Sequence, residues 1–205
     1  IVAGAAVEAV AQAKARQVRY DLMASWCRAH GADVILTGHT KNDQAETVMM
    51  RTRRTRSAES LASIHPCMTW QGVPVVRPLL SLKRNMLRDI LHHVSQPWID
   101  DPSNDNTMFE RVRVRHQLRD EDVDTYAAIA DQSLQVANRH DELAFSFLKR
   151  SAGAYPHGYF TVDREGLLQL DLGTQDSVLR RLFAGLGRGP AERSERLRLL
   201  TWLCT

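Results

Sequence analysis

The feature that most constrains the fold is a short apolar run between two glycines, preceded and followed by helical patterns. An alanine-rich segment over residues 5–30 predicts a long helix that ends at Gly31, and apolar residues recur in it near helical spacing, namely Val10, Ala13, Val18, Leu22 and Trp26. Residues 33–38, with the sequence DVILTG, predict a strand buried on both faces, and residues 42–54 predict a second helix. This order is typical of half of a doubly wound α/β domain, in which ligands bind at the carboxyl ends of the strands.

Further elements follow in the same chain. Residues 73–80 predict another strand, and Ser81 is the expected N-cap of a helix that reaches residue 94. Residues 96–106 are rich in Pro, Asp, Asn and Ser, which favours a loop. The second half predicts a mainly helical unit, with helices over 122–150, 174–186 and 191–204 and a hairpin over 159–170 that turns at 163–166. Expected core positions of the first of these helices are Ile129, Leu134, Leu143, Phe147 and Leu148.

Charge and cysteine content narrow the class of protein. The formal net charge is only +3, yet arginines bunch at 51–56 and at 111–115, and local basic patches bind phosphate. Taken alone, such runs are more typical of solvated helix faces. Three scattered cysteines form no CxxC pair, and no run of about 20 apolar residues is present, so we expect a reducing, cytoplasmic location.

The segment from Thr37 to Thr47 brings an imidazole and two carboxylates to the edge of the sheet where ligands bind. His39 and Asp43 are four residues apart and Asp43 and Glu46 three apart, so they share a face if the helix starts early. Such a carboxylate pair suits a substrate ammonium or a shared metal ion. Two structural roles stay open: a capping box formed by Asp43 and Glu46, and a buried His39 with a satisfied hydrogen bond.

Six blocks in order resemble the tRNA(Ile)-lysidine synthetases, which are PP-loop (N-type ATP pyrophosphatase) enzymes. The resemblance covers roughly residues 15–115. The blocks are ARQVRY at 15–20, ILTGHT at 35–40, DQAET with MR at 43–51, VRPLL at 76–80, WIDDPSN at 98–104 and FERVRVR at 109–115.

The resemblance implies an adenine nucleotide alpha hydrolase-like fold and a two-step reaction. ATP, with Mg²⁺, adenylates the wobble cytidine of an isoleucine tRNA with a CAU anticodon, and free L-lysine then displaces AMP. By the same resemblance Arg19 and His39 act in adenylation, and Asp43 and Glu46 bind the lysine ammonium. The tRNA phosphates are expected to contact Arg51, Arg111, Arg113 and Arg115. Whether the protein forms a homodimer stays open.

This sequence also departs from the family pattern. The family's Ser-Gly-Gly-x-Asp-Ser phosphate loop is not found among the 205 residues, so we expect no turnover by these residues alone and assign no phosphate-loop or metal ligands. Asn42 stands where the family usually has Asp, and residues 54–58 lack the family's Gly-Ser-Gly turn. We expect residues 1–118 to be a partial catalytic domain and residues 119–205 a helical, tRNA-contacting domain.

Two other functions remain as alternatives. A cytidine thiolase shares the sheet and the adenylation chemistry but depends on paired cysteines, which this chain does not offer. A non-catalytic RNA-binding module would use the arginines alone, with residues 39–46 serving only to start a helix.

Overall fold

A computed structural model describes residues 2–54, 61, 64–101, 106–187 and 192–203, with the backbone alone for residues 2–13. Its contacts divide the described residues into two compact units: the first comprises residues 2–54, 64–101 and 106–130, and the second comprises residues 61, 131–187 and 192–203. Helices and small sheets both occur, so the predicted α/β class is confirmed. The functional division of the chain after residue 118 stays a prediction.

The first unit begins with the predicted helix–strand–helix order. Helix α1 spans Val2–His30 and ends where Gly31 adopts a left-handed conformation with φ of 66°. Strand β1 is only Ile35–Leu36, shorter than the predicted 33–38, and helix α2 spans Lys41–Thr52. The prediction that β1 is buried on both faces is wrong, because Ile35 is 6% exposed whereas Leu36 is 65% exposed.

The sheet of the first unit is mixed. Strands β2, Cys67–Trp70, and β3, Val73–Val76, form an antiparallel hairpin, and β1 pairs with β3 in parallel, which gives the order β1-β3-β2. The predicted strand over 73–80 therefore ends early, and β2 was missed. Gln71 and Gly72 both have positive φ, 46° and 83°, as a two-residue hairpin turn requires.

Helix α1 packs on this sheet through one face, and most of its larger apolar residues lie on the other, exposed face. The buried residues of the cluster are Tyr20, Ala24, Cys27, Ile35, Val73 and Val75. Of the residues whose spacing indicated the helix, Val18, Leu22 and Trp26 lie outside the cluster, since they are 47, 66 and 57% exposed, and the side chains of Val10 and Ala13 lie outside the described part. Helical spacing identified the element correctly but did not identify its buried face.

Two further helices complete the first unit. Helix α3 spans Arg84–His93, and helix α4 spans Glu110–Gln117, followed by a short 3₁₀ turn at Asp120–Asp122. The predicted cap at Ser81 is wrong, because α3 begins three residues later. Its first backbone N–H, that of Arg84, instead donates to Oδ1 of Asn42, 2.8 Å away on α2. Residues 96–101 contain no helix or strand, in agreement with the predicted loop, whose residues 102–105 lie outside the described part.

The second unit is built from the end of a long helix, a hairpin and three helices. Helix α5 spans Val123–Ser151, close to the predicted 122–150. The hairpin pairs β4, Ala152–Tyr155, with β5, Tyr159–Val162. Helices α6, α7 and α8 then span Arg164–Leu168, Leu172–Gly185 and Arg193–Leu203.

The predicted position of the hairpin turn is wrong. The chain turns between Tyr155 and Tyr159, where Gly158 has φ of 79°, and not at 163–166. Asp163 is the N-cap of α6, so the polar residues that suggested a turn start a helix instead. Turns and helix N-termini favour the same residue types, so the composition of this segment did not distinguish between them.

An apolar cluster holds the second unit together. Its buried residues are Ala144, Phe147, Leu167, Val178, Leu179 and Leu200. Of the predicted core positions Phe147 is confirmed at 4% exposed, Ile129, Leu134 and Leu148 are half-buried, and Leu143 is wrong at 41% exposed.

Among the described residues, no helix is long and apolar enough to cross a membrane.

Candidate functional site

The site is positioned by the turn that links β1 to α2. Thr37 N–H donates to the carbonyl of Val76 at 3.0 Å, which extends the parallel pairing of β1 and β3 by one residue. Thr40 is the N-cap of α2, and Oδ2 of Asp43 accepts from the Thr40 backbone N–H at 2.7 Å and from its hydroxyl at 2.8 Å. The capping box is therefore formed by Thr40 and Asp43, one turn earlier than the alternative that paired Asp43 with Glu46.

Helices α2 and α4 face each other through charged side chains. Asp43 and Glu46 are three residues apart on α2, and Arg111 and Arg115 are four apart on α4, so each pair shares one side of its helix. Arg84 adds a third guanidinium from the start of α3. These five residues are called the Glu46 cluster below.

Glu46 receives all three guanidinium groups of the cluster. Its Oε2 lies 2.8 Å from Arg111 Nε, and its Oε1 lies 2.9 Å from Arg115 Nε and 3.2 Å from Arg84 Nη2. The side chain of Glu46 is 0% exposed, whereas those of the arginines are 28–37% exposed. A carboxylate removed from water in this way requires paired charges and filled hydrogen bonds, which the arginines supply.

Asp43 connects the cluster to solvent. Its Oδ1 lies 3.0 Å from Arg111 Nη2 and 3.7 Å from Arg84 Nη2, and its side chain is 15% exposed. Burial alone raises the pKa of Asp43, but hydrogen bonds from Thr40 and the charges of Arg111 and Arg84 outweigh burial and bring its pKa below the ordinary value. Asp43 is therefore an anion at neutral pH.

His39 lies beside the cluster in a positive environment. Its Nδ1 is 2.9 Å from the hydroxyl of Thr37, which orients the ring. Burial lowers the pKa of His39 below 6.5, and nearby arginines, Arg16, Arg77 and Arg111, lower it further against the opposing effect of Asp43. The imidazole is therefore neutral at pH 7, with a hydrogen-bond acceptor as well as a donor.

An open cleft of about 670 Å³ borders the cluster. It is lined by Gly38, Thr40, Asp43, Arg84, Leu87, Arg88, Leu91, Trp98, Asp100, Asp101 and Arg115. Three arginines and three aspartates contribute opposite formal charges to its walls. A cleft lined in this way suits a ligand that carries groups of both signs.

One wall of the cleft is formed by Arg88, Trp98 and Asp100. The guanidinium carbon of Arg88 lies 5.8 Å from the centroid of the Trp98 ring, and Arg88 Nη2 donates to Asp100 Oδ1 at 2.9 Å. The edge of the Trp98 ring also meets His92, with centroids 4.9 Å apart. These contacts link the loop after α3 to that helix and hold Asp100 at the cleft.

The predicted site residues fall into three groups. Asp43 and Arg115 line the cleft, and Glu46 and Arg111 stand behind it in the Glu46 cluster. His39 is half-buried next to the cluster and is not a lining residue. The others lie elsewhere on the described surface of the first unit: Arg19 is exposed on α1, Arg51 is half-buried near the end of α2, and Arg113 donates to the carbonyls of Thr107 and Met108.

Two contributors escaped sequence reasoning. Arg84 carries no local motif, and only the packing of α3 against α2 brings it to Glu46. Asn42 was noted for a missing charge, yet its amide oxygen caps α3, a hydrogen bond that an aspartate at this position can equally accept. The Thr40–Asp43 capping box was readable from the Thr-x-x-Asp spacing.

Within the described part of the chain, no group of three or more His, Cys, Asp or Glu side chains is placed to hold a metal ion. Cys27 is buried and Cys67 is exposed, while Cys204 lies outside the described residues.

Several known proteins are similar to this chain in sequence. A tRNA(Ile)-lysidine synthase of Mesorhizobium japonicum is 35% identical over an alignment of 184 residues, and the match covers 85% of this chain and 40% of that protein. Proteins of the same name from Brucella ovis and Ruegeria pomeroyi are 46% identical over 106 residues and 37% identical over 107. These matches cover 50 and 52% of this chain and 24 and 26% of the two relatives.

The chain thus spans two fifths or less of the length of these curated relatives. The model of the PP-loop domain matches residues 2–122, more than half of the chain and all of the Glu46 cluster. The chain therefore belongs to the PP-loop domain family.

Proposed function

We propose that the protein is a tRNA(Ile)-lysidine synthase, which uses ATP to adenylate the wobble cytidine of an isoleucine tRNA and then attaches lysine. The observation that carries the proposal is the cleft at the Glu46 cluster, where Asp43 and three arginines meet at the carboxyl end of β1. It lies within the segment that matches the PP-loop domain, and the similar proteins named above share this activity in their names.

The charges of the cleft suit free lysine, which carries two ammonium groups and one carboxylate at neutral pH. Asp43 is held ionised and is partly open to solvent, so it is the proposed partner of an ammonium group. Arg84 and Arg115 line the same cleft and fit a carboxylate or a phosphate. Glu46 acts in this scheme mainly through the arginines, because its own oxygens are enclosed by them.

Adenylation requires groups that stabilise negative charge as it develops on phosphate. A neutral His39 among Arg16, Arg77 and Arg111 suits that step, because its ring offers a hydrogen bond without needing to lose a proton at pH 7. Arg19 is proposed for the same step on the strength of the family resemblance. ATP supplies the adenylyl group when bound. Mg²⁺ is proposed to accompany ATP on the strength of the family resemblance, and no group of three or more His, Cys, Asp or Glu side chains is placed to hold it among the described residues.

The remaining assignments are part of the same proposal. Arg51 and Arg113, together with the exposed parts of Arg111 and Arg115, contact tRNA phosphates. The strands of the first unit form part of a doubly wound parallel sheet in the full-length enzyme. The helical second unit contacts tRNA, and the enzyme works in the cytoplasm.

The test is lysidine formation by the protein in its full natural length. It is incubated with ATP, labelled lysine and an isoleucine tRNA transcript with a CAU anticodon, and the nucleosides are analysed by mass spectrometry. We expect lysidine at the wobble position, and none on a control transcript in which that cytidine is replaced by uridine. In a parallel reaction that contains sodium sulfide as sulfur donor in place of lysine, a 2-thiocytidine would support the thiolase instead. RNA binding without a new nucleoside in either reaction would support the non-catalytic module.

A further inference from the structure

Arg77 carries a buried guanidinium with little in the chain to balance its charge. The residue is only 4% exposed. Its Nη1 donates to the carbonyl of His65 at 2.6 Å and its Nη2 to the sulfur of Met68 at 3.1 Å, whereas its Nε is buried without a hydrogen-bond partner. Among the described residues, no carboxylate forms an ion pair with Arg77. A cation that is removed from water without a counter-charge is costly, so a group of opposite charge is expected to meet it.

Arg77 lies at the carboxyl end of the parallel strand pair. Its backbone N–H continues the pairing of β3 with β2, and the backbone N–H of Thr37 continues the pairing of β1 with β3. Side chains alternate along a strand, so Thr37 and Arg77 face the same side of the sheet as Ile35 and Val75, which is the side that α1 covers. Arg77 is thus placed at the edge where α/β sheets bind ligands.

Helix α1 brings a second arginine to the same edge. Nη2 of Arg16 donates to the hydroxyl of Tyr20 at 3.2 Å, and its guanidinium carbon lies 5.0 Å from the centroid of that ring. Tyr20 belongs to the buried cluster between α1 and the sheet. Besides burial, which has the largest effect, the charges of Arg16 and Arg77 lower the pKa of His39, so both charges act at that ring.

The arginines near His39 fall into two groups that differ in how their charge is balanced. Those of the Glu46 cluster are matched by the carboxylates of Glu46 and Asp43. Arg16 is exposed, Arg77 is buried, and neither forms an ion pair with a carboxylate in the part of the chain that the structure describes. The second group therefore adds two positive charges at the edge of the sheet, which attract an anion.

The backbone at Gly38 is open toward the cleft of about 670 Å³. Gly38 is exposed and lines that cleft, and a Cβ added to it would meet no atom within 4 Å. Next to it, Nδ1 of His39 lies 2.9 Å from the hydroxyl of Thr37, which leaves Nε2 of the neutral ring to donate a hydrogen bond. A ligand in the cleft can therefore reach the imidazole along this backbone.

We propose that Arg16, Arg77 and Nε2 of His39 form a site for a phosphate group at the carboxyl ends of β1 and β3. Arg16 and His39 donate to the phosphate oxygens, and the buried charge of Arg77 stabilises them from beneath. Arg77 is thus a positioning residue, whose fixed guanidinium loses little entropy when the anion binds. That the phosphate belongs to ATP rests on the proposed function. The anion site itself does not, because the phosphates of RNA carry the same charge and the same acceptor oxygens.

The test measures phosphate binding by arginine variants of the protein in its full natural length. Arg16→Met and Arg77→Met remove the two charges and keep side chains of similar reach. Affinities for inorganic pyrophosphate and for ATP are measured by titration calorimetry. We expect each variant to bind both ligands about 10- to 100-fold more weakly, the usual strength of a hydrogen bond to a charged group. Lys14→Met, which removes an exposed cation from the opposite side of the same helix, should stay within about twofold of the unchanged protein.

Two further measurements separate anion binding from a structural role of Arg77. Arg77→Lys keeps the charge but loses the planar fork, so it should bind pyrophosphate more tightly than Arg77→Met does. A purely structural role, through the carbonyl of His65, would instead lower the thermal midpoint of Arg77→Met and leave its affinity for pyrophosphate unchanged. Arg16→Met keeps the test decisive if Arg77→Met fails to fold, because Arg16 is exposed and lies outside the core.

The source of the phosphate follows from a third ligand, an isoleucine tRNA transcript whose binding is measured by anisotropy without ATP. A loss of affinity for pyrophosphate and ATP, with tRNA binding unchanged, assigns the site to the nucleotide, whereas a loss for tRNA alone assigns it to an RNA phosphate. Unchanged affinity of Arg16→Met for all three ligands would overturn the site. An equal loss in Lys14→Met would also overturn it, because the effect would then be one of net charge.

Failure of the proposed function looks different from failure of the anion site. Pyrophosphate binding that depends on Arg16 and Arg77, without lysidine formation by the full-length protein, would reject the enzyme and keep the site. Lysidine formation, with binding of all three ligands independent of both arginines, would do the reverse.

Discussion

The two units use buried charge in different ways. Around the cleft of the first unit, α2 and α4 meet through Glu46, which is 0% exposed and surrounded by three guanidinium groups. In the second unit the helices meet through the apolar cluster. Its Arg196–Asp176 ion pair joins two atoms 2.7 Å apart, and the two side chains are 8 and 13% exposed. Apolar contacts stabilise a unit without the desolvation free energy that burying ions costs. The Glu46 cluster therefore costs desolvation free energy, which fits the role at the cleft that we propose for it.

Removing the central charge of the Glu46 cluster is the most severe test of this comparison. Glu46→Gln leaves three arginines without their shared counter-ion in a partly buried space. We expect the free energy of unfolding to fall by about 3–5 kcal/mol, measured by urea denaturation. Glu110→Gln on α4 is the matched control, because Glu110 pairs with an exposed Arg54 and should cost at most about 1 kcal/mol. Equal stability of Glu46→Gln and the unchanged chain would contradict the structural role of the cluster.

A matching loss in the second unit should come from a cavity rather than from a charge. Phe147→Ala removes a ring that is 4% exposed, and we expect a loss of about 3–5 kcal/mol in the free energy of unfolding. Phe145→Ala on the same helix, 58% exposed, should cost much less. High salt should leave the effect of Phe147→Ala unchanged. A loss of less than about 1 kcal/mol in the free energy of unfolding for Phe147→Ala would show that the apolar cluster does not hold this unit together.

The role of Asp43 distinguishes a structural cluster from a binding site. Asp43→Asn keeps an oxygen that can cap α2 but loses the charge proposed to hold a lysine ammonium. In the full-length protein we expect the KM for lysine to rise about 10- to 100-fold, which matches the usual strength of a hydrogen bond to a charged group. Adenylation, followed by ATP–pyrophosphate exchange in the presence of tRNA, should be largely retained. Equal loss of both steps would contradict the lysine-binding role.

A smaller effect tests how the first unit joins its helices. Asn42→Ala removes the side-chain oxygen that accepts from the first N–H of α3, and it should lower the free energy of unfolding by about 1 kcal/mol. Ser81→Ala should have almost no effect, since α3 begins at Arg84. Thermal unfolding of the two variants side by side decides between them. The reverse order of effects would restore Ser81 as the cap.

The smallest expected effect concerns pH. The pKa of His39 is lowered in the folded protein, so near its titration the unfolded chain binds more protons than the folded one. His39 therefore contributes stability above pH 6.5, and this contribution is lost as the pH falls through the lowered pKa. NMR titration of the imidazole should give a pKa below 6.5, and His39→Gln should flatten this part of the stability profile. A pKa above 6.5 would show that Asp43 dominates over burial and the arginines.

Local patterns predicted the elements well where one physical cause acted alone. Alanine content and helical spacing predicted α1, α2 and α5 to within a few residues. They failed where two outcomes favour the same residues: Asp163 starts a helix where a turn was expected, and Ser81 lies in a turn where a cap was expected. Hairpin β2–β3 was missed because its turn, Gln71-Gly72, is not one of the common hairpin pairs.

Within the candidate site, the three chemical groups at 39–46 were evident from the order of residue types, because a strand that runs directly into a helix brings neighbouring residues to one edge. The partners of those groups were not evident. Arg84, Arg111 and Arg115 lie 38 to 69 residues away from Glu46 in the chain. No local pattern encodes a contact at that distance.

By itself the sequence determined the α/β class, the order of the long helices and the segment where chemistry gathers, since these follow from short-range spacing and residue type. Only the tertiary structure decided that Arg111 and Arg115 surround Glu46 in place of facing outward along their helix. It likewise decided that Asn42 caps a distant helix and that Tyr155 and Tyr159 stack on an open face. The physical reason is common to all three: the energy of a charge, a hydrogen-bond donor or a ring depends on what surrounds it, and those surroundings come from parts of the chain that meet only on folding.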